Sequence, residues 1–193
     1  MSLAHMTPNL RIYVDIAART YYGLNMITDD NSERAEAYRV LADIFSEPPD
    51  NEFLEAIKED FELESREAGD DIRRDFDSLF VSPGGKLQPL ESLYVARENA
   101  SPGPVSDFYE KAGLTMDEEF EYIPDHISLE FLFLSYLIET GRLDLQEHFL
   151  EEHIMNWVPY YCGEVIKQAG TVFYKEIAEI TRDFVTNESE NFA

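Results

Sequence analysis

Residues 124–140 read PDHISLEFLFLSYLIET and form the most hydrophobic part of this 193-residue chain. The apolar residues occupy more than one side of a helix, which predicts a buried, central helix that ends at Gly141. The longest predominantly apolar run, 131–138, which includes Ser135, is much shorter than the roughly 20 residues that a membrane-spanning helix needs. We therefore expect this segment to be the core helix of a chain that does not insert into a membrane.

On both sides of this segment, apolar residues recur at spacings of three and four, which is typical of amphipathic helices. Asn31 or Ser32 and then Asp50 are the expected N-caps of two early helices. The predicted helices cover residues 10–27, 31–45, 50–61, 69–80, 105–112, 124–140, 143–155, 160–169 and 171–185, with a break at Trp157-Val158-Pro159. No stretch alternates long enough to form a strand. The predicted fold class is all-α, a helical bundle of roughly eight to ten helices.

A loop rich in proline and glycine divides the bundle into two halves. Seven of the 23 residues from Ser82 to Pro104 are Pro or Gly, a density that a continuous helix does not tolerate. We expect an ordered loop with one short helical turn between Glu91 and Ala96. The whole chain, 1–193, is then a single domain with helical halves 9–81 and 105–185, loop 82–104 and a polar tail 186–193. A monomer is the default expectation, although the loop could act as the hinge of a domain-exchanged dimer.

The charge of the chain excludes several kinds of partner. Forty acidic residues against 15 basic ones give a net charge of −25, which opposes binding to nucleic acid and to anionic lipid. Two compatible interpretations of this acidity are a host that lives at high salt and a surface for a basic partner.

The cysteine content and the first residues bear on the location of the protein. The one cysteine, Cys162, cannot form an internal disulfide. Since the start MSLAHMTPNL also lacks the pattern of a secretory signal, a cytoplasmic location is predicted.

No enzyme motif is found in the sequence. The phosphate-binding loop, the GxSxG nucleophile elbow and the paired Glu-x-x-His motifs of di-iron bundles are all missing. His148 and His153 are five residues apart, so they do not share a helix face as metal ligands, and we expect them to be surface or packing residues. The sequence therefore predicts no catalytic residue, no metal and no cofactor.

Asp125, His126 and Glu130 form an unusual polar group at the start of the most apolar helix. Asp125 can serve as a helix cap, with His126 carried beside it. Glu130 interrupts the apolar face and needs a partner if it is buried, and His126 lies four residues before it. The alternative to capping is the acidic floor of a cleft that receives a basic peptide. A helical metal-binding enzyme that uses the same three residues is a further alternative.

Several motifs occur in a specific order and spacing along the chain. They are 38–49 (YRVLADIFSEPP), 76–80 (FDSLF), 82–85 (SPGG), 88–94 (QPLESLY), 124–132 (PDHISLEFL), and the positions Phe149, Leu150, His153 and Trp157. Together they resemble the TorD/DmsD/NarJ family of cytoplasmic chaperones for molybdenum oxidoreductases. The similarity extends over about residues 33–185.

This resemblance implies a protein that is not an enzyme and that binds the N-terminal peptide of a molybdopterin oxidoreductase catalytic subunit until the cofactor is inserted. In some members this peptide is a twin-arginine signal. The resemblance places Asp125 and His126 at the peptide cleft, Ser92 and Tyr94 beside it on the loop, and Glu130 in support. It implies that Trp157 and Phe149 pack the helices.

Tyr94 has two possible roles under this resemblance. It either closes over a bound peptide or fills a gap between the two helical halves. Guanine-nucleotide binding has been claimed for such proteins, but this sequence contains no motif for it. A structural partner subunit, with an acidic surface that serves solubility, remains an alternative function.

Overall fold

The computed structural model describes residues 30–81, 84–95, 104–115 and 123–192. In chain order these residues form α1 (Asp30–Ser46), α2 (Asn51–Asp60), α3 (Gly69–Phe80), a 3₁₀ turn (Glu91–Leu93), α4 (Val105–Lys111), α5 (Ile127–Glu139), α6 (Leu143–Phe149), a π-helical segment (Leu150–Ile154), α7 (Met155–Gln168) and α8 (Val172–Glu190). Within these ranges the only extended pairing is an isolated bridge between Leu90 and His126. The predicted all-α class is confirmed.

Helix α5 lies at the centre of the core, as its sequence predicts. Ile127, Phe131 and Leu134 are completely buried. The helix packs against α1, where the rings of Tyr38 and Phe131 are 5.6 Å apart, and α7 packs in turn against α8. Phe45 of α1 contacts both Phe131 and a ring of α7, so a continuous aromatic core joins the two helical halves.

Helix α5 begins at Ile127, three residues later than the sequence predicts. The backbone just before it pairs with the loop, because the Ile127 N–H donates to the carbonyl of Pro89 and His126 bridges Leu90. Pro124 therefore precedes the helix rather than occupying its first turn.

The predicted break at residues 157–159 is wrong. The chain continues helically from α6 through the π-helical segment into α7, and Pro159 lies inside α7. A proline within a helix costs about 3 kcal/mol or more because it removes a backbone hydrogen bond. Here Trp157, Val158, Tyr161 and Cys162 are all completely buried, and their burial offsets that cost.

The ends of several helices also differ from the prediction. Helix α8 extends to Glu190, so most of the predicted polar tail is helical, because buried Glu188 accepts hydrogen bonds from Arg34 of α1 at 2.7 and 2.8 Å. Helix α1 starts at Asp30, before either predicted cap residue. The Asp50 cap is confirmed, since its carboxylate accepts the Phe53 N–H at 2.9 Å. The predicted helix 10–27 and loop residues 96–103 lie outside the described residues.

Across the described part of the chain, none of the helices has both the length and the hydrophobicity that crossing a lipid bilayer would require.

Candidate functional site

Loop residues 84–95 are fastened to the core along their length. The Leu87 N–H donates to the Leu79 carbonyl at 2.7 Å, and the Tyr161 hydroxyl donates to the Leu87 carbonyl at 3.3 Å. Further along, the Ile127 N–H donates to the Pro89 carbonyl at 3.0 Å. The loop is thereby attached to α3, to α7 and to the start of α5.

Asp125 joins loop residues 84–95 to the segment just before α5. Its carboxylate accepts the Ser92 N–H at 2.8 Å, and its carbonyl accepts the Glu91 N–H at 3.0 Å. The carboxylate and the carbonyl of Asp125 thus satisfy two amide groups at the start of the 3₁₀ turn. Asp125 therefore caps the loop turn rather than α5, and it places Ser92, which is exposed, beside the start of α5.

His126 is the N-cap residue of α5. Its Nδ1 accepts the Ser128 N–H at 3.2 Å and lies 2.7 Å from the Ser128 hydroxyl. Burial lowers the pKa of His126 to about 4, although the nearby Asp125 charge acts in the opposite direction. The ring is therefore neutral at physiological pH, and since Nδ1 accepts, we assign the proton to Nε2. Nε2–H is a hydrogen-bond donor.

We expect His126 to make stability depend on pH. An unfolded histidine has a pKa near 6.5, so its stabilising contribution is complete above that pH and is lost as the pH falls towards 4. His126→Asn is the matched control, because asparagine also caps helices but does not titrate. The difference in unfolding free energy between wild type and this variant should fall by up to about 1.4 kcal/mol per pH unit in that window. A difference that stays constant from pH 7 to pH 4, measured by urea unfolding, would contradict the assignment.

Glu130 lies inside the protein and is hydrogen-bonded to Trp157. Both Glu130 and Trp157 are completely buried, and the Trp157 indole Nε1–H donates to the Glu130 carboxylate at 3.1 Å. The sequence suggested His126 as the partner of Glu130, but the His126 imidazole caps its own helix at Ser128. Glu130 therefore anchors α7 to α5.

Tyr94 packs on α7. Its ring is stacked on Trp157 at 5.6 Å and 18°, and it meets the edge of Tyr161 at 5.3 Å. Tyr160 lies on its outer side at 6.3 Å. Partial burial, with smaller effects of Tyr160 and Glu164, raises the pKa of Tyr94 to about 12, so the hydroxyl stays protonated. This geometry corresponds to a side chain that fills the gap between loop and helix.

Glu91 and His153 form a buried pair that sequence reasoning missed. His153 Nδ1 lies 3.0 and 3.1 Å from the two carboxylate oxygens of Glu91, and both side chains are completely buried. The His153 ring lies between Phe149, stacked at 5.0 Å, and Phe108, at 5.0 Å edge-on. The available signal was the family resemblance, whose matching positions include both Glu91, in segment 88–94, and His153. His148, by contrast, is exposed.

Asp125, His126 and Glu130 do not form a set of metal ligands. Their side chains bond to three different residues, Ser92, Ser128 and Trp157. Within residues 30–81, 84–95, 104–115 and 123–192, no group of three or more His, Cys, Asp or Glu side chains is placed to hold a metal ion.

Fold and site together define an all-α bundle whose connecting loop is bonded to the start of its central helix. A family model described as nitrate reductase delta subunit matches residues 34–163, and the chain belongs to this family. This result confirms the resemblance to the TorD/DmsD/NarJ chaperones.

Curated relatives of the chain include named chaperones. It is 26% identical to the perchlorate reductase assembly chaperone protein of Dechloromonas aromatica over 132 residues, and this alignment covers 58% of each chain. It is 24% identical over 140 residues to the Tat proofreading chaperone DmsD of Salmonella typhi, which is 70% of this chain and 67% of the relative. With the chaperone protein TorD of Photobacterium profundum it shares 26% over 157 residues, 72% and 73% of the two chains. The alignments thus cover between about six and seven tenths of these relatives.

Proposed function

We propose that this protein is a maturation chaperone that binds the N-terminal peptide of a molybdopterin oxidoreductase catalytic subunit and holds it until the cofactor is inserted. It performs this role by binding and release and catalyses no reaction of its own. Family membership and the names of the relatives, which are assembly and proofreading chaperones, support this proposal.

The Asp125–Ser92 hydrogen bond is the observation that supports a particular location for the peptide-binding site. It brings the loop and the start of α5 together, and these two segments carry four groups suited to a peptide. These groups are the Asp125 carboxylate, the His126 Nε2–H, the Ser92 hydroxyl and the Tyr94 ring. An extended peptide can donate to the carboxylate, accept from the imidazole and rest an apolar side chain on the ring.

The charge of the chain supports a basic peptide as the client. A net charge of −25 attracts arginine side chains at long range and speeds their capture. At 1 M salt this attraction reaches only about 3 Å. In a high-salt host, recognition would then depend on the close contacts at Asp125 and His126.

Two variants test the site. Asp125→Asn and His126→Ala should each weaken binding of the client's N-terminal peptide by about tenfold or more, which corresponds to about 1.4 kcal/mol, while helical content is retained. Asp144→Asn, an exposed carboxylate on α6, is the matched charge control and should leave the affinity within about twofold. Calorimetry gives the affinity and circular dichroism gives the helical content. A loss of stability with unchanged affinity would remove Asp125 and His126 from the site.

A second candidate function is a permanent partner subunit, which the description of the matching family as a subunit favours. The two functions differ in when the partner leaves. A chaperone separates from the oxidoreductase once the cofactor is in place, whereas a subunit co-elutes with the mature enzyme in one-to-one ratio on size-exclusion chromatography.

A further inference from the structure

The exposed aromatic side chain of Tyr160 lies next to Tyr94 of the candidate site. Among the described residues, five large apolar side chains are exposed, and the two most exposed are Tyr160, at 62%, and Leu93, at 58%. Leu93 immediately precedes Tyr94 in the loop, and the ring centroids of Tyr160 and Tyr94 are 6.3 Å apart. The other three, Val81, Leu143 and Val172, belong to other parts of the chain. The two most exposed apolar side chains thus both belong to the segments that meet at Tyr94.

Tyr94, which adjoins Tyr160, packs on buried residues of α7. Tyr94 is stacked on Trp157 and meets the edge of Tyr161, and both of these lower residues are completely buried. A surface whose base is already ordered loses little conformational entropy when a partner binds. Tyrosine is also among the residues that dominate binding energy at interfaces, because it offers a large contact area with few rotatable bonds.

Two carboxylates belong to the segments that carry these rings. Glu164 follows Tyr160 by one helical turn, and its charge acts on the Tyr94 hydroxyl. Asp125 accepts the N–H of Ser92, two residues before Tyr94. The nearby cation Lys167 is engaged by Glu164 at 2.7 Å. The occupant that complements this arrangement is an apolar side chain with an arginine or lysine close to it in the sequence.

We infer that Tyr160, together with Leu93, forms an apolar binding surface continuous with Tyr94, and that its occupant is the apolar part of the client's N-terminal peptide, next to the basic residues. This inference rests on the proposed function, and it adds α7 to the loop and the start of α5 as a third element of the site.

The test compares exposed apolar side chains inside the proposed surface with one outside it. Tyr160→Ala and Leu93→Ser should each raise the dissociation constant of the client peptide about tenfold, as measured by calorimetry. Leu143→Ala is the matched control, since Leu143 is 56% exposed at the start of α6, and it should change the constant less than about twofold. If Tyr160→Ala alters the circular dichroism spectrum, Tyr160→Gln, which keeps much of the side-chain length, replaces it.

A second experiment identifies the occupant. An apolar residue next to the basic group of the peptide is changed to serine, and the affinity loss is measured with wild type and with Tyr160→Ala. A smaller loss with the variant, by at least about threefold, indicates direct contact. Equal losses, or Tyr160→Ala binding as tightly as Leu143→Ala, would overturn the inference and leave the proposed function standing. A wild-type protein that binds no client peptide would instead contradict the proposed function itself.

Discussion

Replacement of Glu91 by alanine is expected to lower the free energy of unfolding by about 3–5 kcal/mol. Glu91 and His153 are both completely buried and lie 3.0 Å apart, and removal of one member of a buried pair leaves the other without its partner in a medium of low dielectric constant. Urea unfolding followed by circular dichroism measures the loss. Glu151→Ala is the matched control, because Glu151 is exposed two residues from His153, and it should change stability by less than about 0.5 kcal/mol.

Two further results distinguish the buried pair from a general packing defect. Glu91 belongs to the loop and His153 to the π-helical segment, so the variant should also raise hydrogen exchange across residues 84–95. The double variant Glu91→Leu/His153→Leu should recover part of the lost stability, since apolar residues of similar volume often replace buried pairs at little cost. A loss below about 1 kcal/mol for Glu91→Ala, with unchanged exchange, would show that the pair does not hold the loop.

The second large effect is expected at Trp157. Truncation to alanine should cost about 3–5 kcal/mol, because the side chain is completely buried, donates to Glu130 and supports the ring of Tyr94. Trp157→Phe keeps most of the apolar contact and loses the N–H donor, so its cost should be smaller, about 1–3 kcal/mol. Tyr160→Ala, three residues later on the exposed side of α7, is the control and should cost less than about 0.5 kcal/mol. Equal costs for Trp157→Ala and Tyr160→Ala would contradict the described packing of the site.

The helices and the core could be predicted from the sequence because burial imposes a period on the residues of each helix. Phe131 and Leu134 are buried as the pattern around α5 predicts, and Asp50 caps α2. The predicted helical break at Pro159 is wrong because burial, which sets the pattern of the other helices, also keeps this helix intact. The local cost of proline is set by one missing hydrogen bond, whereas the burial of Trp157 and Tyr161, which keeps the helix intact, comes from contacts distant in sequence.

The polar contacts of the site were less accessible to sequence reasoning. The resemblance pointed to Ser92 and Asp125, but their hydrogen bond spans 33 positions in the chain, and no local pattern encodes it. The Glu91–His153 pair spans 62 positions and depends on the path of an irregular loop. A carboxylate inside such a loop looks like one more surface acid in a chain with 40 of them. Only the fold shows that this one is buried.

The most direct test of the account is a calorimetric titration of the unmodified protein with the N-terminal peptide of a molybdopterin oxidoreductase catalytic subunit from the same host, at low and at native salt. A scrambled peptide of the same composition controls for general attraction to the acidic surface. We expect saturable one-to-one binding of the native peptide, with an affinity that salt reduces and that is at least about tenfold higher than that of the scrambled peptide. No binding heat at either salt concentration, or equal affinity for both peptides, would contradict it.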